Sequence, residues 1–334
     1  MLPPDAIVFP KVGGAIATNK KRKITVPSCV DNNVMGLIPV STQISSQYLA
    51  LWLAGFDIYQ FSNKANPPSI TQGTVSAWPI PLPPLEEQHQ IVAVLDEAFE
   101  GLSRTRAHAE ANLRDARELF DAALRTVFSQ FQSFPRAALA ELSSKITKGS
   151  SPKWQGISYV DAPGVLFVTS ENIGLNELNL SAPKYVEEAF NEKDQKSILS
   201  CGDVLTNIVG ASIGRTAVFD KSDVANINQA VCLIRCDPNR LHNYFLSYLL
   251  NSPDYRDILH GAESNMARAN LSLAFFRELQ IHLPSLAVQL ETTERLDALQ
   301  SQFSLLEARY REKLTQIDAL RQSLLQKAFA GELT

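Results

Sequence analysis

The sequence predicts an α+β protein in which short strands and helices form globular parts and two long helices pair with each other. Short β-branched runs bounded by Gly, Asn and Asp, such as DVLTNIVG, TAVF and AVCLIR, are typical of strands. Two long stretches carry apolar residues at alternating steps of three and four, which indicates helices. With 334 residues, of which 45% are hydrophobic, the chain is long enough for about two folding units.

An internal repeat sets the order of these parts. The segment IPLPPLEEQHQIVAVLDEAF, from Ile80, matches IHLPSLAVQLETTERLDALQ, from Ile281, and the match continues without a gap to Phe128 and Phe329. Three upstream segments match in the same order: AIVFPKVGGAIA with VLTNIVGASIG, CVDNNVMGLI with ANINQAVCLI, and QYLALWL with NYFLSYL. Chance similarity between two amphipathic helices does not account for one offset sustained over this length, so we infer a duplication.

The duplication predicts four consecutive parts, and its two copies differ in length. The parts are a partial globular domain at 1–82, a long helix at 83–131, a complete globular domain at 134–284 and a second long helix at 285–330. The segment that precedes Gly202 in the second copy has no counterpart in the first copy. We therefore expect the first globular domain to be truncated at its N-terminus.

Heptad spacing on both long helices predicts a coiled-coil seam. Prolines mark the start of each helix, because proline is tolerated in the first turn and disfavoured deeper. The predicted seam residues are Leu95, Phe99, Leu102, Leu113 and Phe120 on the first helix, and Leu299, Phe303, Leu306, Tyr310 and Ile317 on the second. The alternative is that each helix packs only on its own domain, but two helices of matched length in one chain favour pairing.

The sequence contains no convincing catalytic, metal or cofactor motif. It has no GxxxxGK[ST] phosphate-binding loop, and its five His and four Cys lack zinc-ligand spacing. The run Asn66-Pro67-Pro68-Ser69 resembles the motif of DNA amino-methyltransferases, but Ser69 replaces the aromatic residue that would stack on a flipped base. We therefore predict a non-catalytic protein without a metal site or cofactor.

Composition favours a cytoplasmic protein and leaves DNA binding open. No apolar run approaches the roughly 18–20 residues that span a bilayer, and the N-terminus does not resemble a secretory signal, so we expect no membrane contact. The formal net charge of -4 is not that of a small basic DNA-binding domain. Basic residues are nevertheless concentrated in the first 30 positions, where Asp5 is the only acidic residue.

Several strings together resemble the specificity subunit of type I restriction-modification systems. They are the entry IPLPPLEEQHQIVAVLD with its second copy, GDVLTNIVGASIGR, NINQAVCLIR and the terminal SLLQKAFAGELT, and the likeness spans essentially the whole chain. The resemblance implies that each copy is a target recognition domain followed by a long helix, and that the helices pair as an antiparallel coiled coil. It also implies binding of double-stranded DNA, docking of methyltransferase (M) subunits on the helices, and recruitment of restriction (R) subunits through the complex.

Loop residues with suitable chemistry are predicted to contact DNA. Base edges are read by Asn or Gln on adenine and by Arg or Lys on guanine, whereas phosphates bind cations, hydroxyls and free amides. The predicted contacts are Lys148, Ser150, Ser151, Lys153, Asn172, Asn207, Arg215, Gln229, Arg268 and Asn270, with Lys20, Lys21 and Arg22 in the densest basic run. Ordinary solvated turns and hairpin tips remain the alternative for these residues.

Two other interpretations remain open. The coiled coil alone is also compatible with a non-catalytic scaffold whose globular part binds protein. The expected truncation is compatible with self-association, in which two chains each supply one reader, and with an inactive remnant.

Overall fold

The computed structural model describes residues 1–264 and 270–333, which divide into two compact units. The first unit comprises Met1–Leu113 and Glu307–Thr334, and the second comprises Arg114–Leu306. The predicted α+β class with two long helices is confirmed.

The elements follow one another along the chain in the order that the repeat requires. The N-terminal ones are β1 (Ile7–Pro10), β2 (Arg22–Lys23), β3 (Val34–Leu37), α1 (Ser46–Ala54), α2 (Gln72–Ser76) and α3 (Leu85–Ser129). The next strands and helices are β4 (Arg136–Ala138), β5 (Ser143–Lys148), β6 (Tyr159–Val160), β7 (Val165–Val168), β8 (Tyr185–Val186), α4 (Ala189–Lys193), β9 (Asp203–Asn207), β10 (Thr216–Phe219), β11 (Ala225–Ile227) and β12 (Val231–Cys236). The C-terminal ones are α5 (Asn243–Asn251), α6 (Pro253–Ser264), α7 (Leu273–Glu278), β13 (Gln280–His282) and α8 (Leu286–Phe329).

The first unit is built on a small antiparallel sheet in the order β2-β1-β3. Alternate residues of a strand point to the same face, so Ile7 and Phe9 of β1 are buried together. They share a core with Tyr48 and Trp52 of α1 and with Leu95 of α3. The C-terminal turns of α8 complete this core.

The second unit has two four-stranded sheets and a two-stranded pair. The first sheet, in the order β10-β9-β12-β5, is antiparallel, and the second has the order β11-β7-β8-β6 with β11 and β7 parallel. All five residues of β9 are buried. Val204 lies in a core with Phe245 of α5, whereas its neighbour Leu205 lies in a core with Ile227 of the other sheet. This sheet is therefore covered on both faces.

Hydrogen bonds correct the register of the repeat upstream of the long helices. In the first copy Lys11 N–H donates to Asn33 O, and the equivalent bond in the second copy runs from Ile208 N–H to Ala230 O. Both pairs give an offset of 197 residues, which also relates helix α1 to α5. The sequence alignment of the three upstream segments is therefore wrong by one residue in each segment. From α2 onward the predicted offset of 201 is observed, since α3 begins at Leu85 and α8 at Leu286.

A buried glutamine makes the same set of hydrogen bonds in both copies of the repeat. Gln88 Oε1 accepts from Ser45 N–H at 2.9 Å, while its Nε2 donates to the carbonyls of Gln43 and Pro83, both at 2.8 Å. Gln289 repeats the pattern, accepting from His242 N–H at 2.8 Å. Both side chains are fully buried. Each glutamine therefore ties the start of a long helix to the loop that enters a short one.

Candidate nucleic-acid interface and helix seam

Loops from five separate segments meet at one end of the sheets in the second unit. We call this surface the loop face; it comprises residues 149–153, 169–172, 207–215 and 228–230, with Asn270. Asn207 Nδ2 donates to Ser170 O at 3.0 Å, and Asn228 N–H donates to Val168 O at 3.1 Å. A β-bridge joins Val209 to Asn270. Strands that end side by side bring most of the predicted DNA contacts of this unit together.

Gly149 shows how closely two of these loops approach. A Cβ atom at this position would lie 1.8 Å from the carbonyl oxygen of Ile227, so a larger residue does not fit without moving the backbone. The close approach places the turn after β5 directly against the end of β11.

Three predicted residues of the loop face are exposed and free to bind. Lys153, Arg215 and Gln229 are solvent-exposed, and none has a side-chain hydrogen bond or ion pair within the described part of the chain. Trp154, next to Lys153, is 83% exposed, which is unusual for a large aromatic side chain. The sequence interpretation did not single out Trp154, although an aromatic beside a lysine is a recognisable signal.

Two predicted asparagines of the loop face are instead engaged in structure. Asn172 is buried, its Oδ1 accepts from Thr169 N–H at 2.8 Å, and its Nδ2 donates to Asn179 O at 3.0 Å. Asn207 is fully buried and its Nδ2 is shared between Ser170 and Ser212. Both amide atoms of Asn172 are therefore engaged, whereas Asn207 Oδ1 is buried without a hydrogen-bond partner among the described residues.

The loop after β5 contains residues of mixed accessibility. The Ser150 hydroxyl donates to the buried carboxylate of Asp194, so it is not available as it stands for a phosphate. Lys148 and Ser151 are half-buried.

Asn270 is also half-buried, and its Oδ1 is buried without a hydrogen-bond partner among the described residues. Arg268 lies outside the described residues, so its prediction as a DNA contact is not addressed.

The basic run of the first unit lines a cavity of about 350 Å³. Lys20 and Arg22 are exposed, whereas Lys21 is half-buried and donates from Nζ to Phe56 O. Burial lowers the pKa of Lys21 to about 8, against the opposing effect of Asp57. Arg321 of α8 joins this cavity, which the sequence did not predict because the two segments lie far apart in the chain.

The long helices pack against each other within each unit. In the first unit, the Arg321 guanidinium lies 4.1 Å from the ring centre of Phe99, and Arg106 forms an ion pair with Asp318. As the residue number on α3 increases from Phe99 to Arg106, that of the contacting residue on α8 decreases from Arg321 to Asp318, so the helices are antiparallel. Leu95, Phe99 and Ile317 are buried, and Leu102, Leu113 and Tyr310 are half-buried.

In the second unit, Phe120 of α3 stacks on Phe303 of α8. The ring centres are 5.2 Å apart and the planes differ by 16°. Farther along α3, Leu124 lies in one core with Leu296 of α8.

The predicted seam is wrong at Leu299 and Leu306. These side chains are 38% and 40% exposed, whereas Gln300 and Glu307, one position later, are half-buried. Two heptad frames contain Phe303, Tyr310 and Ile317; one adds Leu299 and Leu306, and the other adds Gln300 and Glu307. The leucines make the first frame more apolar in the sequence, but in the structure the second frame faces the partner helix.

Comparison with known proteins identifies the family. The family model of the type I restriction modification DNA specificity domain matches residues 6–110 and 140–316. The chain belongs to this family. Each matched region contains the sheet of one repeat and the first part of the long helix that follows it.

Relatives of the specificity domain family cover the chain to different extents. The specificity subunit of the type I restriction enzyme StySPI from Salmonella potsdam is 24% identical, covering 99% of this chain and 75% of the relative. The EcoBI specificity subunit from Escherichia coli is 29% identical over 51% of this chain, and the MjaVIII subunit from Methanocaldococcus jannaschii is 25% identical over 76%. The aligned region spans 36% of the EcoBI subunit and 62% of the MjaVIII subunit.

Solved structures show the same specificity-domain fold. A chain from a study of complex assembly and conformational transition of a type I R-M system superposes with a TM-score of 0.78 at 22% identity, covering 99% of this chain and 83% of that chain. The HsdS subunit from Thermoanaerobacter tengcongensis gives a TM-score of 0.53 at 20% identity, covering 99% and 82%.

Among the described residues, no group of three or more His, Cys, Asp and Glu side chains is placed to hold a metal ion. No helix in the described ranges is long and apolar enough to cross a membrane.

Proposed function

We propose that this chain is the DNA-recognition subunit of a type I restriction-modification complex, and that the loop face reads double-stranded DNA. The observation that carries the proposal is the convergence of five loops that leaves Lys153, Arg215 and Gln229 exposed together on one surface. Family membership supports the same assignment.

The exposed side chains have chemistry suited to both parts of DNA recognition. Arg215 carries the paired donors that match O6 and N7 of guanine, and the Gln229 amide matches N6 and N7 of adenine. Lys153 supplies a cation for phosphate, and Trp154 beside it offers an apolar ring to the sugar-phosphate backbone. In the first unit, Lys20 and Arg22 are proposed to follow the phosphate backbone.

The outer faces of the long helices are proposed to dock methyltransferase subunits, which in turn bring restriction subunits. Leu119, Leu305 and Leu306 are 71%, 55% and 40% exposed. A contiguous exposed apolar surface marks a protein interaction site, and we propose that these leucines contribute to such surfaces. In this assignment the partners carry out methyl transfer and cleavage, and this chain, which we propose to be cytoplasmic, has no reaction of its own.

A binding experiment tests the DNA assignment. We expect Arg215→Ala and Gln229→Ala to weaken binding of the full chain to its target duplex by about 1–3 kcal/mol each and to relax the base preference at one position. The target is first obtained by sequencing the methylated adenines in cells that carry the chain with its methyltransferase. Arg309→Ala is the matched control, since Arg309 is an exposed arginine of α8 that is not part of the loop face. Equal affinities for all three variants would reject the loop face as the reading surface.

An assembly experiment tests the docking assignment separately. The double variant Leu305→Lys and Leu306→Lys should fold normally, because both side chains are exposed, yet should lose the methyltransferase from the complex in size-exclusion chromatography. A complex that forms at the wild-type level would place the docking surface elsewhere.

A further inference from the structure

The sheet of the first unit ends in an open edge, whereas the equivalent edge in the second copy of the repeat is paired with another strand. In the first unit the order β2-β1-β3 leaves β3 at the edge, with no strand pairing beyond it among the described residues. The counterpart of β3 at the offset of 197 is β12, and β12 has β5 on the equivalent side. The first copy is therefore a sheet without its fourth strand.

Backbone groups of β3 point into this open edge. Lys11 N–H donates to Asn33 O, so the polar groups of Asn33 face β1. Because the direction alternates along a strand, those of Gly36 face outward. Ile38 directly follows β3, and its counterpart Arg235 pairs with Lys145 on the equivalent outer side. The next outward group, the N–H of Val40, corresponds to that of Asp237.

The second copy shows which hydrogen bonds such an edge forms. Asp237 N–H donates to Leu142 O at 2.8 Å, at the start of β5. Leu233, the counterpart of Gly36, pairs with Thr147, and Arg235, the counterpart of Ile38, pairs with Lys145. The occupant of the edge is thus an antiparallel strand.

An apolar cleft of about 240 Å³ adjoins the open edge. Ile38, Val40 and Leu82 on its walls are 57%, 57% and 53% exposed, and none of the described residues that line it is charged. Trp78, also in the lining, has a buried Nε1 without a hydrogen-bond partner within the described part of the chain. This surface combines unpaired strand groups with unburied apolar side chains.

The corresponding space in the second copy is filled by two leucines that precede β5. Leu139 and Leu142 are fully buried. Leu139 N–H donates at 3.0 Å to the carbonyl of Leu279, which is the counterpart of Trp78 at the offset of 201. Two apolar side chains three residues apart, followed by an extended strand, are therefore the chemistry that completes this edge.

We propose that the β3 edge binds an extended segment of a second polypeptide by strand addition, and that this segment has the chemistry of residues 136–148. Main-chain hydrogen bonds to Gly36, Ile38 and Val40 supply affinity, and two leucines that enter the uncharged cleft supply selectivity. The internal repeat identifies this occupant, because it shows the same edge and cleft already filled by such a segment. The partner is a polypeptide that presents the front part of a recognition domain.

A peptide with the sequence of residues 136–150, RAALAELSSKITKGS, is the probe. We expect saturable binding to the full chain by fluorescence anisotropy, and slowed hydrogen exchange at the amides of Gly36, Ile38 and Val40. Replacing both leucines of the peptide by serine should abolish binding. No saturable binding of the leucine peptide would overturn the proposal.

Two variants of the chain locate the site. Ile38→Pro removes an outward N–H and should weaken peptide binding roughly tenfold or more, and Val40→Lys places a charge at the cleft with the same result. Val26→Lys is the matched control, because Val26 is 61% exposed and follows β2 at the opposite edge of the sheet. Unchanged circular dichroism and melting temperature show that each variant is folded. Equal binding by all three variants would overturn the proposal.

Sedimentation of the chain without peptide distinguishes the other occupant. A monomer is the expected result. A dimer that Ile38→Pro dissociates would assign the edge to a second copy of this chain and overturn a separate polypeptide as its partner.

Discussion

Truncating the buried glutamine of the second copy should loosen one short helix and spare its twin. In Gln289→Ala, the N–H of His242 and the carbonyls of Arg240 and Pro284 lose partners at 2.8, 3.0 and 2.9 Å. His242 and Arg240 lie where the chain enters α5, and Pro284 lies just before the start of α8. The side chain of Gln289 is fully buried, so its amide makes these hydrogen bonds away from solvent.

The expected cost follows from these contacts. A net hydrogen bond contributes about 1 kcal/mol, and a buried group left without a partner costs about 1–3 kcal/mol. Partial entry of water into the space vacated by the side chain offsets some of this, which leaves about 3 kcal/mol. Gln289→Glu should cost more, because a carboxylate oxygen would then face two carbonyl oxygens in a buried site.

Hydrogen exchange with mass spectrometry measures this effect locally, without assuming that a chain of two units unfolds in one step. Gln289→Ala should accelerate exchange in α5 by about 100-fold and leave α1 unchanged, and Gln88→Ala should do the reverse. Gln316→Ala, at an exposed position of α8, is the control. An acceleration below about fivefold in α5 would refute the argument that this amide holds the helix entry.

Three further outcomes follow from the structure. Lys153→Ala should weaken DNA binding equally for all sequences and lower the slope of log affinity against log salt by about 0.9; an unchanged slope in anisotropy titrations would exclude a phosphate contact. By hydrogen exchange in α8, Phe303→Ala should lower local stability by about 2 kcal/mol because its ring stacks on Phe120, whereas Leu306→Ala should lower it by less than about 1 kcal/mol; the reverse order would restore the predicted seam. Burial lowers the pKa of His242, so the stabilising neutral form is present above about pH 6.5 and is lost as the pH falls from there through the lower folded-state pKa. The melting temperature should decline over that range, and His242→Asn should flatten the decline; a decline that persists in the variant would assign it to another group.

The two repeats show how far letter matching reaches. Along the long helices the offset of 201 was predictable, because the heptad leucines and the prolines before each helix allow only one alignment of the two segments. In the short strands the letters placed Ala6 over Val204, whereas hydrogen bonding places Ile7 there. A shift of one residue exchanges the two faces of a strand, and identities alone do not record which face is buried.

The candidate site was predictable in composition and not in geometry. Arg215, Gln229 and Lys153 have suitable side chains, and the fold leaves them exposed. Asn172 has equally suitable chemistry, but its amide is hydrogen-bonded to Thr169 and Asn179. Whether a polar side chain is engaged inside the fold depends on a partner several residues away in a turn, and composition does not specify that partner.

The sequence by itself determined the duplication, the α+β class, the two long helices and the resemblance to type I specificity subunits. These features depend on periodicity and local propensity, which act over a few residues. The tertiary structure decided which heptad frame faces the partner helix, which loops meet at one end of the sheets, and that β3 has an open edge beside an apolar cleft. Each of those depends on contacts between segments far apart in the chain, where burial and hydrogen-bond geometry select among arrangements that local sequence leaves equally acceptable.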